Sequence, residues 1–207
     1  MRKHCTKDPE RCSSESRMEC SAGNLEDCLI KYCSPTLASL KTANLFNMRF
    51  PDRDGLLRAI DEARALIEEK GIRIEILSVR GNTALIYVYR LSHLERDLKA
   101  CGAARVLKCC GYSDTSVPAA IEHLKERIRS QRDFPHEIGL FLGYPPADVC
   151  GFIENHGRNY ICCGAWKVYC DECAAITKFE KYDKCKRLYA RLFGEGIRTI
   201  RQLTVAA

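Results

Sequence analysis

The chain of 207 residues lacks long apolar runs and the short motifs by which many enzymes are recognised. No segment reaches the ~18 consecutive apolar residues of a membrane-spanning helix. The polar N-terminal segment lacks the apolar stretch of a secretory signal. We therefore expect a cytoplasmic protein with no membrane partner. The glycine-rich loops of nucleotide-binding proteins and the G-x-S-x-G motif of serine hydrolases are also missing, which disfavours those two classes.

Charge of one sign is not concentrated enough to indicate a nucleic-acid-binding protein. The formal net charge is only +6, and bases are interleaved with acids, as in Glu122, Lys125, Glu126 and Arg127. This pattern favours a mixed solvated surface over a phosphate-binding face. We therefore do not expect nucleic acid as a partner, whereas a protein partner fits such a surface.

The apolar pattern predicts one α+β domain. Residues 1–23 are polar and without periodicity, which predicts a disordered tail, and residues 24–207 form the domain. Segments rich in apolar and β-branched residues predict strands near 43–50, 72–79 and 84–90. These strands would make a small antiparallel sheet with helices packed on it, followed by a helix-rich C-terminal half. The third strand is apolar on both faces, so we expect it in the interior of the sheet.

Three local signals concern helices. Pro35 disfavours a helical residue before it, so a helix that precedes it is expected to end there. Asp171 is a suitable N-cap for a long helix that reaches about Phe193. Gly139 and Gly143, four residues apart, would give a flat helix face on which another element can lie closely.

Fourteen cysteines are the unusual feature of the composition. In the cytoplasm they are expected to be reduced thiols, each of which is a core residue, a nucleophile or a metal ligand. Cys170-Asp-Glu-Cys173 has the C-x-x-C form of a zinc site, but no second such pair follows it. Asp171 and Glu172 oppose formation of a thiolate there, which disfavours a redox role. Cys185 falls on the apolar stripe of its helix, which is typical of a core residue.

Other side chains suited to chemistry are scattered along the chain. His136 precedes Glu137, but Leu140 stands where the zinc motif H-E-x-x-H needs its second histidine. Lys41 and Lys167 are candidate charge partners for an anion. The apolar neighbours of Lys167 predict that its aliphatic stem lies on apolar surface.

Several segments resemble motifs of a bacterial family, domain of unknown function 3793. They are Cys33-Ser-Pro-Thr-Leu-Ala-Ser-Leu-Lys-Thr-Ala-Asn-Leu-Phe46, Phe134-Pro-His-Glu-Ile-Gly-Leu-Phe-Leu-Gly-Tyr-Pro145, Asp148 to Ile153, Cys163-Gly-Ala-Trp-Lys-Val-Tyr169, and Cys185. The resemblance runs from about residue 25 to the C-terminus. It implies no particular activity, but its members look like proteins of anaerobic bacteria. The resemblance also implies genes that lie beside those for iron uptake and flavodoxins, which favours a metal or redox context. It places Cys33, Cys163 and Cys185 in family motifs and leaves Cys170 and Cys173 outside them.

The first hypothesis for function is a cytosolic metal-binding protein with a regulatory or metal-handling role. Cys33, His136, Cys163 and Cys185 would converge on zinc or iron, since three thiolates and one imidazole suit a tetrahedral site for either metal. Two auxiliary thiols would come from Cys170 and Cys173.

The second hypothesis is a thiol-dependent enzyme. Cys33 or Cys163 would be the nucleophile, His136 the base, and Lys41 or Lys167 the charge that stabilises an anion. The sequence leaves open whether the protein is an enzyme at all.

The third hypothesis is an interaction module without catalysis. A partner would dock on the flat face at Gly139 and Gly143, or on the basic final helix with Arg198 and Arg201.

Overall fold

The fold is that of a computed structural model, which describes residues 19–20, 25–130 and 133–206, with the backbone alone for the first pair. The helices are α1 Leu25–Leu37, α2 Arg53–Ile67, α3 Leu91–Lys99, α4 Cys101–Cys109, α5 Val117–Ser130, α6 Ile138–Phe141, α7 Pro146–Glu154, α8 Glu172–Gly194 and α9 Ile200–Leu203. The strands are β1 Glu19–Cys20, β2 Ala43–Arg49, β3 Ile72–Arg80, β4 Thr83–Arg90, β5 Cys162–Cys163 and β6 Lys167–Val168. Apart from β1, the predicted tail lies outside the described residues. Within these ranges, no helix combines the length and the apolar character needed to cross a membrane.

The main sheet has the strand order β1-β2-β4-β3, and a two-stranded hairpin of β5 and β6 is separate from it. β4 pairs antiparallel with β2 on one side and with β3 on the other, whereas the short β1 runs parallel to β2. The predicted α+β class, the three antiparallel strands and the interior position of β4 are therefore confirmed.

Helices cover both faces of the sheet because successive side chains of a strand point in opposite directions. Ile86 and Val88 of β4 face a core shared with α1, α2, α8 and α9. Tyr87 and Tyr89 face a second core, built with α3 to α7, where the Tyr87 hydroxyl donates to the carbonyl of Phe141 at 2.7 Å. The α1 side and the α7 side of the molecule are thus separated by the sheet.

The free edge of β3 is protected against pairing with another strand. The register of pairing between β3 and β4 shifts between Ile76 and Ser78, and this shift interrupts the regular ladder of hydrogen bonds. The guanidinium of Arg64 donates to the carbonyl of Ile74 at 2.7 Å and so occupies an edge acceptor. These two features make strand addition at this edge unfavourable.

The prediction that a helix ends before Pro35 is wrong. α1 continues through Pro35 to Leu37, and its residues from Tyr32 onwards are buried. The hydroxyl of Ser34 donates to the carbonyl of Ile30 within the same helix. α1 packs against both α8 and β2, and burial of this apolar face outweighs the local conformational preference of the residue before proline.

Arg90, at the end of β4, is fully buried and joins three segments of the chain. Its guanidinium donates at 2.7 Å to the carbonyls of Thr36, Leu37 and Val205. The first two belong to the C-terminal turn of α1, where carbonyls have no partner within the helix and a positive charge is favourable. The last turn of α1 has no basic residue of its own, so Arg90 supplies that charge from the sheet.

We predict that Arg90→Met lowers the free energy of unfolding by about 3 kcal/mol, because it removes three hydrogen bonds made by a buried charged group. Urea denaturation followed by circular dichroism measures the change. Arg58→Met is the matched control, since Arg58 is exposed on α2, and we expect it to alter stability by less than about 0.5 kcal/mol. An equal effect of the two substitutions would refute the role given to Arg90.

Candidate functional site

Cys33 and Cys185 lie in the same apolar core, between the sheet and α8. Burial raises the pKa of the Cys33 thiol well above its usual range, although the ammonium groups of Lys41 and Lys186 oppose the shift. Burial also raises the pKa of Cys185 to about 11. Both thiols are therefore protonated near neutral pH and pack as small apolar side chains.

His136 lies on the opposite side of the sheet from Cys33. Its imidazole is exposed and contacts the ring of Phe152 in α7, with ring centroids 5.0 Å apart. Cys163 lies in β5, and both Cys163 and Cys28 take part in disulfide bonds. The expectation that every cysteine is a reduced thiol is therefore wrong for these two.

The predicted metal ligands are not grouped in the described part of the chain. There, no three side chains of His, Cys, Asp or Glu are arranged to hold a metal ion. Of the auxiliary pair, Cys173 is exposed in the first turn of α8, and the Cys170 thiol donates to Asp148 Oδ1 at 3.1 Å. Partial burial and this hydrogen bond raise the pKa of Cys170. The described residues therefore form neither the zinc or iron site nor the cysteine–histidine pair, and both stay predictions from the sequence.

The two predicted anion-binding lysines have different surroundings. Lys167 donates to the carbonyl of Gly157 at 2.8 Å, and its ammonium lies 4.9 Å from the ring centre of Tyr160. It therefore holds the loop that follows α7. Lys41 is buried, and its ammonium lies 5.2 Å from the ring of Tyr144, which stacks on Trp166. Lys41 is thus part of an aromatic cluster at the junction of α6 and the hairpin.

The flat face at Gly139 and Gly143 is covered by the protein itself. A Cβ atom at Gly139 would lie 2.8 Å from Val149 Cγ2 of α7, and one at Gly143 would lie 2.5 Å from Thr42 Oγ1. Docking of a partner on this face is therefore excluded in the described fold. On the final helix, Arg201 is paired with Glu69 at 2.7 Å.

Asp148 connects α7 to the β5–β6 hairpin. Its carboxylate is buried and accepts hydrogen bonds from Trp166 Nε1 at 2.7 Å and from the backbone N–H of Tyr169 at 2.8 Å. A buried carboxylate is stable only when donors of this kind surround it. Asp148 therefore fixes where the chain leaves β6 and, with it, the position of Tyr169.

A groove of about 600 Å³ lies between α4, α7 and the residue after β6. Its walls combine small apolar residues with several polar side chains. They are Gly102, Arg105, Pro146, Ala147, Cys150, Gly151, Glu154, Asn155, Asn159 and Tyr169. A concave site of this size with a few convergent polar groups is suited to a small ligand. We call it the α4–α7 groove.

Tyr169, which lines the α4–α7 groove, carries a hydroxyl with unusual surroundings. A Cβ atom at Gly151 would lie 2.5 Å from Tyr169 Cγ, so only glycine allows the ring to lie this close to α7. The hydroxyl oxygen is buried and has no hydrogen-bond partner among the described residues. Burial, with smaller contributions from Tyr160 and Asp148, raises the pKa of Tyr169. The phenol is therefore protonated at neutral pH.

The other polar groups of the groove differ in how they are held. Arg105 is exposed on α4 and forms no ion pair with a carboxylate of the described residues. Asn155 donates to the carbonyl of Gly151 at 2.8 Å, and Asn159 donates to Asn155 Oδ1 at 3.1 Å. The amides therefore form a fixed wall, whereas the guanidinium is unpaired.

This groove was not predicted from the sequence. Neither Arg105 nor Asn155 stood out as a candidate, and Tyr169 was named only as the last residue of a segment that resembles a family motif. The available signal was that Gly151 and Tyr169 both belong to segments that resemble the family motifs. Their contact joins parts of the chain that no local pattern relates.

We predict that alkylation by iodoacetamide near pH 7.5 modifies the exposed Cys101, Cys109 and Cys173 well before Cys33 and Cys185, because burial keeps the latter two protonated and inaccessible. Peptide mass spectrometry over time measures the order, and the unfolded protein in urea is the control. Preferential labelling of Cys33 in the native protein would revive the thiol-enzyme hypothesis.

We also predict that the protein loses stability in alkaline solution. Below the pKa of a thiol in the unfolded chain, about 8.5, the two thiols are protonated in both the folded and the unfolded protein. The stabilisation that their burial provides is then fully present. Above that pH the unfolded chain loses protons that Cys33 and Cys185 retain when folded, so stability falls as the pH rises. Urea titrations at pH 7 to 10 should show a shallower fall for Cys33→Ala than for Cys101→Ala, which changes an exposed thiol. Equal slopes would contradict the assignment.

Comparison with known proteins places the chain in a family. No curated protein and no solved structure is detectably similar to it. The family model described as protein of unknown function (DUF3793) matches residues 29–204. This match spans most of the chain, including most of α1, the main sheet from β2 onwards, the groove and the hairpin. The chain therefore belongs to the DUF3793 family.

Proposed function

We propose that the protein is a non-catalytic binding protein for a small organic anion, which it holds in the α4–α7 groove. Tyr169 Oη would donate a hydrogen bond to an oxygen of the ligand, and Arg105 would neutralise its charge. The proposal belongs to the third class that the sequence left open, binding without catalysis, with a small molecule in place of a docked protein.

The unsatisfied hydroxyl of Tyr169 is the observation that carries the proposal. A buried polar group without a partner costs about 1–3 kcal/mol, so proteins rarely keep one without a use for it. Gly151 admits the ring and Asp148 positions its backbone, so the hydroxyl is held in place before any ligand binds. The hydroxyl oxygen has almost no solvent-accessible surface, so a ligand would reach it only when a covering side chain moves aside, and a ligand oxygen there would recover the lost hydrogen bond.

The charge of the groove supports an anionic ligand. The unpaired guanidinium of Arg105 presents several donors in one plane, which matches a carboxylate or a phosphate. Glu154 lies in the same groove and would accept a hydrogen bond from a hydroxyl or amino group elsewhere on the ligand. We therefore expect a small carboxylate or phosphate ester that also carries a donor group.

Binding explains the groove better than catalysis does. Its lining contains one thiol, Cys150, and neither histidine nor lysine. No hydrogen bond joins Cys150 to a base in the described part of the chain, so the activated nucleophile of a thiol enzyme is not assembled there. Zinc and iron remain cofactors predicted from the sequence alone, and they have no role in this proposal.

We predict that Tyr169→Phe weakens ligand binding and leaves stability unchanged or slightly higher. The substitution removes the buried hydroxyl and keeps the ring that packs on Gly151. Thermal shift with a panel of small mono- and dicarboxylates, hydroxy acids, amino acids and phosphate esters identifies a ligand, and calorimetry then gives its affinity. We expect the affinity to fall at least tenfold in Tyr169→Phe and in Arg105→Gln, as for the loss of a hydrogen bond to a charged group.

Two matched variants serve as controls. Tyr160→Phe removes a neighbouring hydroxyl outside the groove, and Lys108→Gln removes an exposed charge from the same helix as Arg105. Both should bind like the native protein. If no member of the panel binds, or if Tyr169→Phe binds it unchanged, the proposal is refuted.

A further inference from the structure

The exposed side of α8 carries most of the excess positive charge of the protein. Between residues 178 and 191 the helix has six bases and two acids, an excess of four charges in a chain of net charge +6. The bases are Lys178, Lys181, Lys184, Lys186, Arg187 and Arg191. The even distribution of charge inferred from the sequence therefore does not hold for this surface.

These bases are not neutralised within the molecule. None of the six forms a salt bridge with a carboxylate of the described residues. Elsewhere on the surface, exposed bases such as Arg129 and Arg201 are paired with glutamates. Glu180 and Asp183 lie four residues before Lys184 and Arg187, a spacing that permits pairing on a helix, yet neither pair is formed. The charge of α8 is therefore available to an external partner.

One stripe of this surface combines charge with an exposed apolar side chain. Lys181, Lys184, Leu188 and Arg191 recur at intervals of three or four residues, so they share one face of the helix. All four are exposed, and Leu188 is 40% exposed. The opposite face, with Tyr182 and Cys185 among its residues, is buried in the protein. We call these four residues the α8 stripe.

We infer that the α8 stripe docks an acidic protein segment in which carboxylates flank an apolar side chain. The apolar residue would contact Leu188 and lose its water, while the carboxylates would pair with the surrounding bases. A contact with an apolar centre and a charged rim is the usual arrangement of a protein interface.

The same observations disfavour other anionic partners. Glu180 lies on the exposed side of α8 among the bases and would repel the closely spaced phosphates of a nucleic acid. A membrane surface would require a broad apolar face for insertion, and the stripe offers a single leucine. Carboxylates on a protein can be spaced to avoid Glu180, so a protein segment fits the surface better than either alternative.

The test uses a synthetic 20-residue helical peptide with glutamates on both sides of a central leucine, and a second peptide with serine in place of that leucine. Fluorescence anisotropy at low salt measures binding to the full chain. We expect the leucine peptide to bind at least tenfold more tightly than the serine peptide. Leu188→Ser should remove this difference, and Lys184→Glu/Arg191→Glu should weaken both peptides at least tenfold. The control Arg58→Glu/Lys108→Glu makes the same change of net charge on other exposed helices and should bind like the native protein.

A 20-base-pair DNA duplex and vesicles containing phosphatidylglycerol are measured in parallel. Equal affinity for the two peptides, equal weakening by the control variant, or tighter binding to DNA or vesicles than to the leucine peptide would each overturn the inference. Circular dichroism of every variant establishes that the fold is retained. The groove variant Tyr169→Phe should bind the peptides normally, since the two sites share no residue.

Discussion

The buried guanidinium of Arg90 ties the two ends of the described chain to the central strand. It lies at the end of β4 and satisfies carbonyls in the last turn of α1 and in the segment after α9. An apolar side chain at this position would fill the space but would make none of these hydrogen bonds, so the segments would be joined less firmly. The position of α1 depends on this interaction, and with it the placement of Cys33 and the packing of α1 against α8.

The segments that resemble the family motifs mainly build the fold. Gly139 permits contact with Val149, Asp148 connects α7 to the hairpin, and Gly151 accommodates the ring of Tyr169. Each of these contacts is close, so a larger or apolar residue would separate α7 from its neighbours. The groove is the consequence of this arrangement, because holding Tyr169 against Gly151 leaves its hydroxyl buried without a partner. Gly151 and Tyr169 therefore both pack the hairpin against α7 and line the groove.

The cysteines separate into groups that their spacing along the chain does not reveal. Cys33 and Cys185 pack in the core, Cys28 and Cys163 take part in disulfide bonds, and others are exposed. The metal hypothesis required Cys33 and His136 to converge, but the sheet lies between them. Cys33 and Cys185 therefore contribute to the core as packing residues, since a protonated thiol behaves as a small apolar side chain.

The sequence by itself determined the α+β class, the strands around residues 43–90, the interior position of β4 and the long helix that begins after Asp171, because these follow from local periodicity and capping. Only the tertiary structure decided that α1 continues through Pro35, since the energy of packing against α8 exceeds a local preference. The α4–α7 groove likewise required the fold, because Arg105, Gly151 and Tyr169 are distant in sequence. Whether a hydroxyl is left without a partner, or a base without an acid, depends on neighbours that no local pattern specifies.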